Sequence, residues 1–185
     1  MLAGLENEFT SLDTVAIIET DYRVKGYHLD VEVESAQVVA VAELLDRRGF
    51  FLESITGVDC LGTTPVGNQV KVADEPAPDA DAGGDSAIAG AQEGDVEKAK
   101  AGDQMEVVYD YNHTGATLCR VAVRCRLDRT KPDIPTICRI MPGANWHERE
   151  THDFFGINFS GHPDLSPLLL PEDADFHPLL KDFKV

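Results

Sequence analysis

Hydrophobic and polar residues alternate strictly in GYHLDVEV: Tyr27, Leu29, Val31 and Val33 share one face, and His28, Asp30, Glu32 and Glu34 the other. A period of two predicts a half-buried strand. The period then changes. From Ser35 onward, Val38, Val41, Ala42 and Leu45 follow the i, i+3, i+4, i+7 spacing of an amphipathic helix. Ser35 is its expected N-cap. Arg47 and Arg48 suit the negative end of the helix dipole, and Gly49 stands where a left-handed stop belongs. FFLESIT reads as a second strand-like run. Upstream, TVAIIET predicts another strand around Val15 to Ile18, preceded by a short helix.

Periodicity vanishes between residues 62 and 104. In ADEPAPDADAGGDSAIAGAQEGDVEKAKAGD, Ala, Gly, Pro and Asp dominate, and Lys71 to Asp103 hold nine acids against three lysines. Such a segment buries too little apolar surface to offset its ordering entropy. It reads as a mobile loop, either an acidic docking tether or a solvated insertion.

Order returns at MEVVYDYNHTGATLCRVAVRCRL, which predicts a hairpin turning at Asn112 to Ala116. In its second strand Cys119, Val121, Val123, Cys125 and Leu127 take one face; Arg120, Arg124 and Arg126 share the other with Ala122. Those arginines meet either an acidic partner or the chain's own carboxylates. Asp133 to Met141 reads as a short helix stopped by Pro142 and Gly143. Strand–helix–strand, a hairpin and further helices give an α+β fold: a two-layer domain with a mixed sheet covered by helices, plus an extended C-terminal tail. The expected boundaries are 1–61 for the first part of the domain, 62–104 for the acidic insertion, 105–160 for the completing hairpin and helices, and 161–185 for the tail.

With 185 residues and 43% hydrophobic composition, the chain supports one cored domain. A net charge of −17 argues against nucleic acid or an anionic lipid surface as partner. No apolar run approaches the ~20 residues of a membrane span, and the acidic N-terminus MLAGLENEFT does not read as a signal peptide, so a cytoplasmic location is expected. Cys60, Cys119, Cys125 and Cys138 form no Cys-x-x-Cys or cluster spacing and read as small buried hydrophobes.

The densest chemistry lies in NWHERETHDFFG, Asn145 to Gly156. A zincin helix needs histidines four apart; His147 and His152 are five apart, about 140° around a helix axis, and diverge. A metal hydrolase built on His147, Glu148 and His152 is thus a remote alternative. The charges fit helix stability instead. Asn145 can cap with Glu148 in a capping box, Glu148 and Glu150 suit a first turn, Arg149 can pair with Asp153 one turn on, and Gly156 stands at the C-terminal stop.

ANWHERETHDFFGINFSGHPDLSPLLLPED resembles the signature of the 30 kDa (C-type) subunit family of respiratory complex I, NADH:quinone oxidoreductase, and of related subunits in membrane-bound [NiFe] hydrogenases and formate hydrogenlyases. Trp146, Glu148, Arg149, Glu150, Asp153, Phe154, Phe155, Gly161, His162, Pro163, Asp164 and Leu165 carry the resemblance. HPLLKDF near the C-terminus and SITGVDC, with Asp59, extend it, so that it covers about residues 15–62 and 105–184. Two positions depart from the family: Ser166 stands where a basic residue is usual, and Leu180 replaces an arginine.

The resemblance implies a non-redox subunit of the peripheral arm, supporting electron transfer to quinone, on the cytoplasmic side of the inner membrane. It implies no cofactor in this chain. It implies iron–sulfur clusters, and flavin or nickel–iron, in partner subunits of the assembly; the expected direct partners are a subunit homologous to the [NiFe]-hydrogenase large subunit and the iron–sulfur subunit of the quinone module. Asp59, Trp146, Glu148, Arg149, Glu150, Asp153, His162, Pro163, Asp164 and Leu165 are the expected partner interface. Independently, the tail pairs Pro163, Pro167, Pro171 and Pro178, which prevent regular structure, with Leu165, Leu168, Leu169, Leu170, Phe176, Leu179, Leu180 and Phe183. An extended apolar segment needs a surface to bury it. The chain's own domain and a neighbouring subunit both qualify, and the neighbour is the expectation.

Overall fold

The computed structural model describes residues 2–12, 14–62, 103–115 and 118–184; the acidic insertion falls almost wholly outside them. The chain runs α1 (Leu2–Ser11), β1 (Ala16–Glu19), α2 (Tyr22–Lys25), β2 (Leu29–Val33), a tight turn at Ser35–Gln37, α3 (Val38–Arg47), β3 (Phe51–Asp59), β4 (Gln104–His113), β5 (Cys119–Asp128), β6 (Asp133–Pro135), α4 (Ala144–Phe155) and β7 (Asn158–Ser160). This is the expected α+β architecture.

Five strands form one mixed sheet in the order β1-β2-β5-β4-β3. Only β2 and β5 run parallel among neighbours. The β4–β5 hairpin therefore inserts between β2 and β3, which α3 connects. Strict alternation puts Val31, Val107, Tyr109, Val121, Val123 and Cys125 on one face, in a single buried cluster with Leu5 and Phe9 of α1 and Val41 and Leu45 of α3. The cysteine reading holds for Cys119 and Cys125, both buried. Burial pushes the Cys125 thiol up to about 12, so it stays protonated.

The opposite face carries the charges. Arg120 reaches Glu53 at 2.6 Å, Arg124 reaches Asp30 at 2.8 Å and Glu106 at 3.6 Å, and Arg126 reaches Glu32 at 3.3 Å. Of the two sequence readings, internal pairing is the one present. At the edge, β3 and β4 are antiparallel neighbours, and the Cys60 amide donates to the Gln104 carbonyl at 3.0 Å. The two chain ends flanking residues 63–102 thus lie side by side.

Three local expectations are corrected. Ser35 is no N-cap: it lies inside the tight turn, three residues ahead of α3, and neither flanking cap position makes a side-chain hydrogen bond. Gly49 does close α3, at φ 78°, with the amides of Gly49 and Phe50 donating to Asp46 and Leu45. Asp133 to Met141 is not a helix. Pro135 biases Ile134 before it toward extended backbone, and Asp133–Pro135 pairs in parallel with β7, burying Ile134. The hairpin strands pair as far as His113 and Cys119, so Asn112 belongs to β4 rather than to the turn. The short α2, capped by Asp21 on the Arg23 amide, has no counterpart in the sequence reading. No described helix is long and apolar enough to cross a membrane.

Candidate functional site

α4 starts at Ala144, with Gly143 before it and no side-chain cap. This corrects the capping-box expectation: Asn145 lies within the helix and Glu148 in its second turn, too far along to serve the free amides. Ala144, Glu148 and Thr151 form the inward stripe and are buried. The helix approaches β3 closely. A Cβ at Gly57 would stand 2.6 Å from the Phe155 ring, which explains the glycine in SITGVDC. Gly156, at φ 72°, ends the helix as expected, and a Cβ there would meet the His177 ring at 2.7 Å.

Glu148 is a carboxylate at a core position. Its Oε1 accepts the Ile137 amide at 2.8 Å, and its Oε2 accepts the Thr136 hydroxyl. Burial outweighs these bonds and pushes its carboxyl up to about 7. His162, from the Gly-His-Pro-Asp-Leu motif, places Nε2 3.8 Å from Glu148 Oε2, with both side chains fully buried. Burial pushes the imidazole below its usual range.

Arg149 and Asp153 do not pair with each other, which corrects the helix-surface reading. Both turn to the tail. Arg149 donates to the Ser166 carbonyl at 3.0 Å and the Pro167 carbonyl at 3.2 Å, and its guanidinium lies 5.7 Å from the Trp146 ring centroid. Asp153 Oδ2 accepts the amides of Leu168, Leu169 and Leu170 at 2.8, 2.8 and 3.3 Å. Burial opposes its charge, but those amides prevail and hold it below the usual carboxylate range. Asp164, which follows Pro163, accepts the Ser166 amide at 2.9 Å. Leu165 packs against the core.

A second clasp holds the tail's end. Asp59, buried at the end of β3, accepts the Leu61 amide at 3.0 Å, the Lys181 amide at 2.9 Å and both arms of Arg129 at 3.1 and 3.2 Å. Arg129 also reaches Asp182 at 2.5 Å. Burial again opposes the Asp59 charge, and Arg129 and the two amides outweigh it. Between the clasps, His177 bonds the Asp153 carbonyl at 2.8 Å and the Leu179 amide donates to Phe154 at 3.1 Å. Leu180, at the position where the resemblance expects an arginine, packs its side chain against the core. Thus the tail lies on its own domain, and Trp146 and Glu150 stay exposed on the outer side of α4. Arg129 and Thr136 were not singled out by the sequence. Arg129 acts on Asp59 from 70 positions away, and no linear pattern encodes that reach.

His147, Glu148 and His152 do not converge: Glu148 faces Thr136 and Ile137, and His152 Nδ1 bonds the Ile157 carbonyl at 2.9 Å. Among the described residues, Cys138, Glu148 and His162 bring ligand atoms within 4.8 Å of one another. The Asp164 amide donates to His162 Nδ1 at 3.1 Å, so the neutral ring keeps its proton on Nε2 and offers no lone pair there.

The profile of the family described as respiratory-chain NADH dehydrogenase, 30 Kd subunit, matches residues 31–185. The C-type subunit of NADH-quinone oxidoreductase from Roseiflexus castenholzii is 33% identical over 158 residues, covering 83% of this chain and 68% of that protein. Its counterpart from Chlorobium phaeobacteroides is 45% identical over 83 residues, covering 45% of this chain and 50% of the relative. Two solved structures share the fold. A trypsin-resistant fragment (1–134) of Nqo5 superposes with a TM-score of 0.58 at 24% identity, covering 89% of this chain and 98% of the fragment. A chain of the membrane-bound sulfane sulfur reductase, an archaeal respiratory membrane complex, gives 0.62 at 18% identity, covering 97% of this chain and 85% of its own. With the profile spanning both clasps and the Roseiflexus relative matching most of the chain, this protein belongs to the 30 kDa subunit family of the respiratory-chain NADH dehydrogenase.

Proposed function

We propose that the chain is a non-redox structural subunit of the peripheral arm of a complex I-type NADH:quinone oxidoreductase. One observation carries the reading beyond family membership. The signature residues Asp59, Arg149 and Asp153 spend their hydrogen bonds fixing the tail to the body, which leaves Leu169, Phe176 and Leu179 turned outward. An ordered tail with its apolar side outward is suited to holding subunits together. Its partners are the subunit homologous to the [NiFe]-hydrogenase large subunit and the iron–sulfur subunit of the quinone module, on the cytoplasmic side of the membrane. Other subunits of the assembly carry the clusters and the flavin, and this chain supports electron transfer to quinone without carrying electrons itself.

Affinity purification of the tagged chain from its host in mild detergent tests this. NADH-binding, large and iron–sulfur subunits should co-purify, and the separated chain should hold neither flavin nor stoichiometric metal. A chain that purifies alone would refute the proposal. A second reading, the equivalent subunit of an energy-converting [NiFe] hydrogenase, draws on the departures at Ser166 and Leu180 and on the fold's presence in another respiratory membrane complex. Recovery of a large subunit with nickel-ligating cysteines, without NADH-binding subunits, would establish that reading instead.

A further inference from the structure

We propose that Cys138 is a modification site: a thiol that small hydroperoxides oxidise to a sulfenic acid, whose added oxygen is held by His162. Cys138 lies in the loop between β6 and α4. The residue is half-buried, with its sulfur turned in on a cluster drawn from three parts of the fold. The Cys138 sulfur, a Glu148 carboxyl oxygen and a ring nitrogen of His162 lie within 4.8 Å of one another. His162 Nδ1 accepts the Asp164 amide, so the neutral ring carries its proton on Nε2. That N–H is buried without a hydrogen-bond partner, and Glu148 Oε2, at 3.8 Å, is too distant to accept it. A buried donor without an acceptor is costly. An oxygen bonded to the Cys138 sulfur can turn toward the ring and supply that acceptor. Its hydroxyl proton can turn to Glu148, which joins the loop, the helix and the first turn of the tail through one group.

The thiolate is the reacting form of a cysteine, and the same Nε2–H favours it. Glu148 is the anion that opposes a thiolate here, and burial, which pushes its carboxyl up to about 7, favours its neutral form. Burial pushes the thiols of Cys60, Cys119 and Cys125 up, which suppresses their thiolates. In the reaction the sulfur attacks one peroxide oxygen. An S–O bond forms as the O–O bond breaks. Sulfur loses two electrons to the peroxide, and the departing oxygen takes up the thiol proton. Thiol and hydrogen peroxide thus give sulfenic acid and water. A small thiol reverses the change: one molecule forms a mixed disulfide and releases water, and a second displaces Cys138.

The test exposes the folded full chain to hydrogen peroxide, removes the oxidant with catalase, and transfers the sample into urea containing dimedone. Trapping then does not depend on access to the folded site, and peptide mass spectrometry reads each cysteine. Cys138 should be labelled about tenfold faster than Cys60, Cys119 or Cys125. The preference should vanish when the peroxide is added to the chain already unfolded. His162→Asn keeps an acceptor for the Asp164 amide and lacks the distal N–H. It should slow Cys138 labelling about tenfold and leave Cys60 unchanged, with circular dichroism verifying its fold. A second measurement needs no variant: the ring resonances of His162 should shift as Cys138 is oxidised in the wild-type chain. Labelling of Cys138 no faster than that of Cys60 in the folded chain would overturn the proposal. So would a wild-type rate in folded His162→Asn, or His162 resonances that stay in place when Cys138 is fully oxidised.

Discussion

Glu148 holds its proton more tightly in the folded chain than an ordinary glutamate, whose reference value is 4.5, because burial pushes its carboxyl to about 7. Its contribution to stability is therefore complete below the ordinary value and is lost as pH rises through about 7. The full effect is about 3 kcal/mol. His162 has the opposite sign. Its pKa is lowered by burial, so its contribution is present at high pH and is lost as pH falls. Glu148→Gln separates the two, since Gln keeps an acceptor for the Ile137 amide. Wild type should lose about 2–3 kcal/mol relative to Glu148→Gln between pH 5 and pH 8, read by urea unfolding at each pH. A gap between the two proteins that stays constant with pH would show that Glu148 is ionised throughout. The sequence marked Glu148 and His162 as functional but could not show that they face each other. The signature reads as an exposed charged helix until Ala144, Glu148 and Thr151 are seen to face inward together.

Among the elements, α4 and the tail depend on one side chain more than any other. Asp153→Ala leaves the amides of Leu168, Leu169 and Leu170 without their acceptor, and should cost about 1–3 kcal/mol at neutral pH. Because Asp153 is held below its usual range, its contribution is present above the ordinary value of 3.8 and is lost as pH falls through the folded value. Hydrogen exchange should show residues 168–170 losing protection before the sheet does; unchanged exchange there would assign those amides to other acceptors. Replacing Val66 to Gly102 with a short polar linker should leave the sheet intact and the melting temperature unchanged or slightly raised. Cys60 and Gln104 already meet across the β3–β4 edge, and a shorter loop costs less entropy to close. A fall of several degrees would show that the segment packs against the domain. The strands were legible because their periodicity is strong: β2, β4 and β5 bury alternate residues as the pattern requires. The stretch from Asp133 to Met141 was misread because a three-residue strand pairing with a partner 25 positions away leaves no period to detect.

At the scale of the whole molecule, the tail is part of the fold as well as a surface for others. The sequence foresaw an apolar segment broken by prolines and assigned its burial to a neighbour, since nothing in a linear pattern says which surface lies nearest. In the structure the inner residues Leu165 and Leu180 cover the core, and the outer ones remain exposed. Truncation after Gly161 therefore has two consequences. It takes three amides from Asp153 and one from Asp59, leaving these buried carboxylates short of partners, and it removes the His162 ring that covers Glu148. It also uncovers the apolar surface beneath Leu165 and Leu180. Each carboxylate stripped of its donors costs on the order of 1–3 kcal/mol, and burying a leucine side chain contributes about 1.5–3 kcal/mol. The summed loss is comparable to the 5–15 kcal/mol that holds a typical domain together. The truncated chain should accordingly unfold at much lower denaturant concentration, or fail to fold, before any question of assembly arises. Truncation after Asp175 keeps the Asp153 clasp and loses the Asp59 end together with the His177, Leu179 and Leu180 contacts, so it should fall between the two. Denaturant titrations of the three chains followed by circular dichroism measure this directly. Equal midpoints would mean that the tail rests on the domain without stabilising it, and that its order depends on a partner.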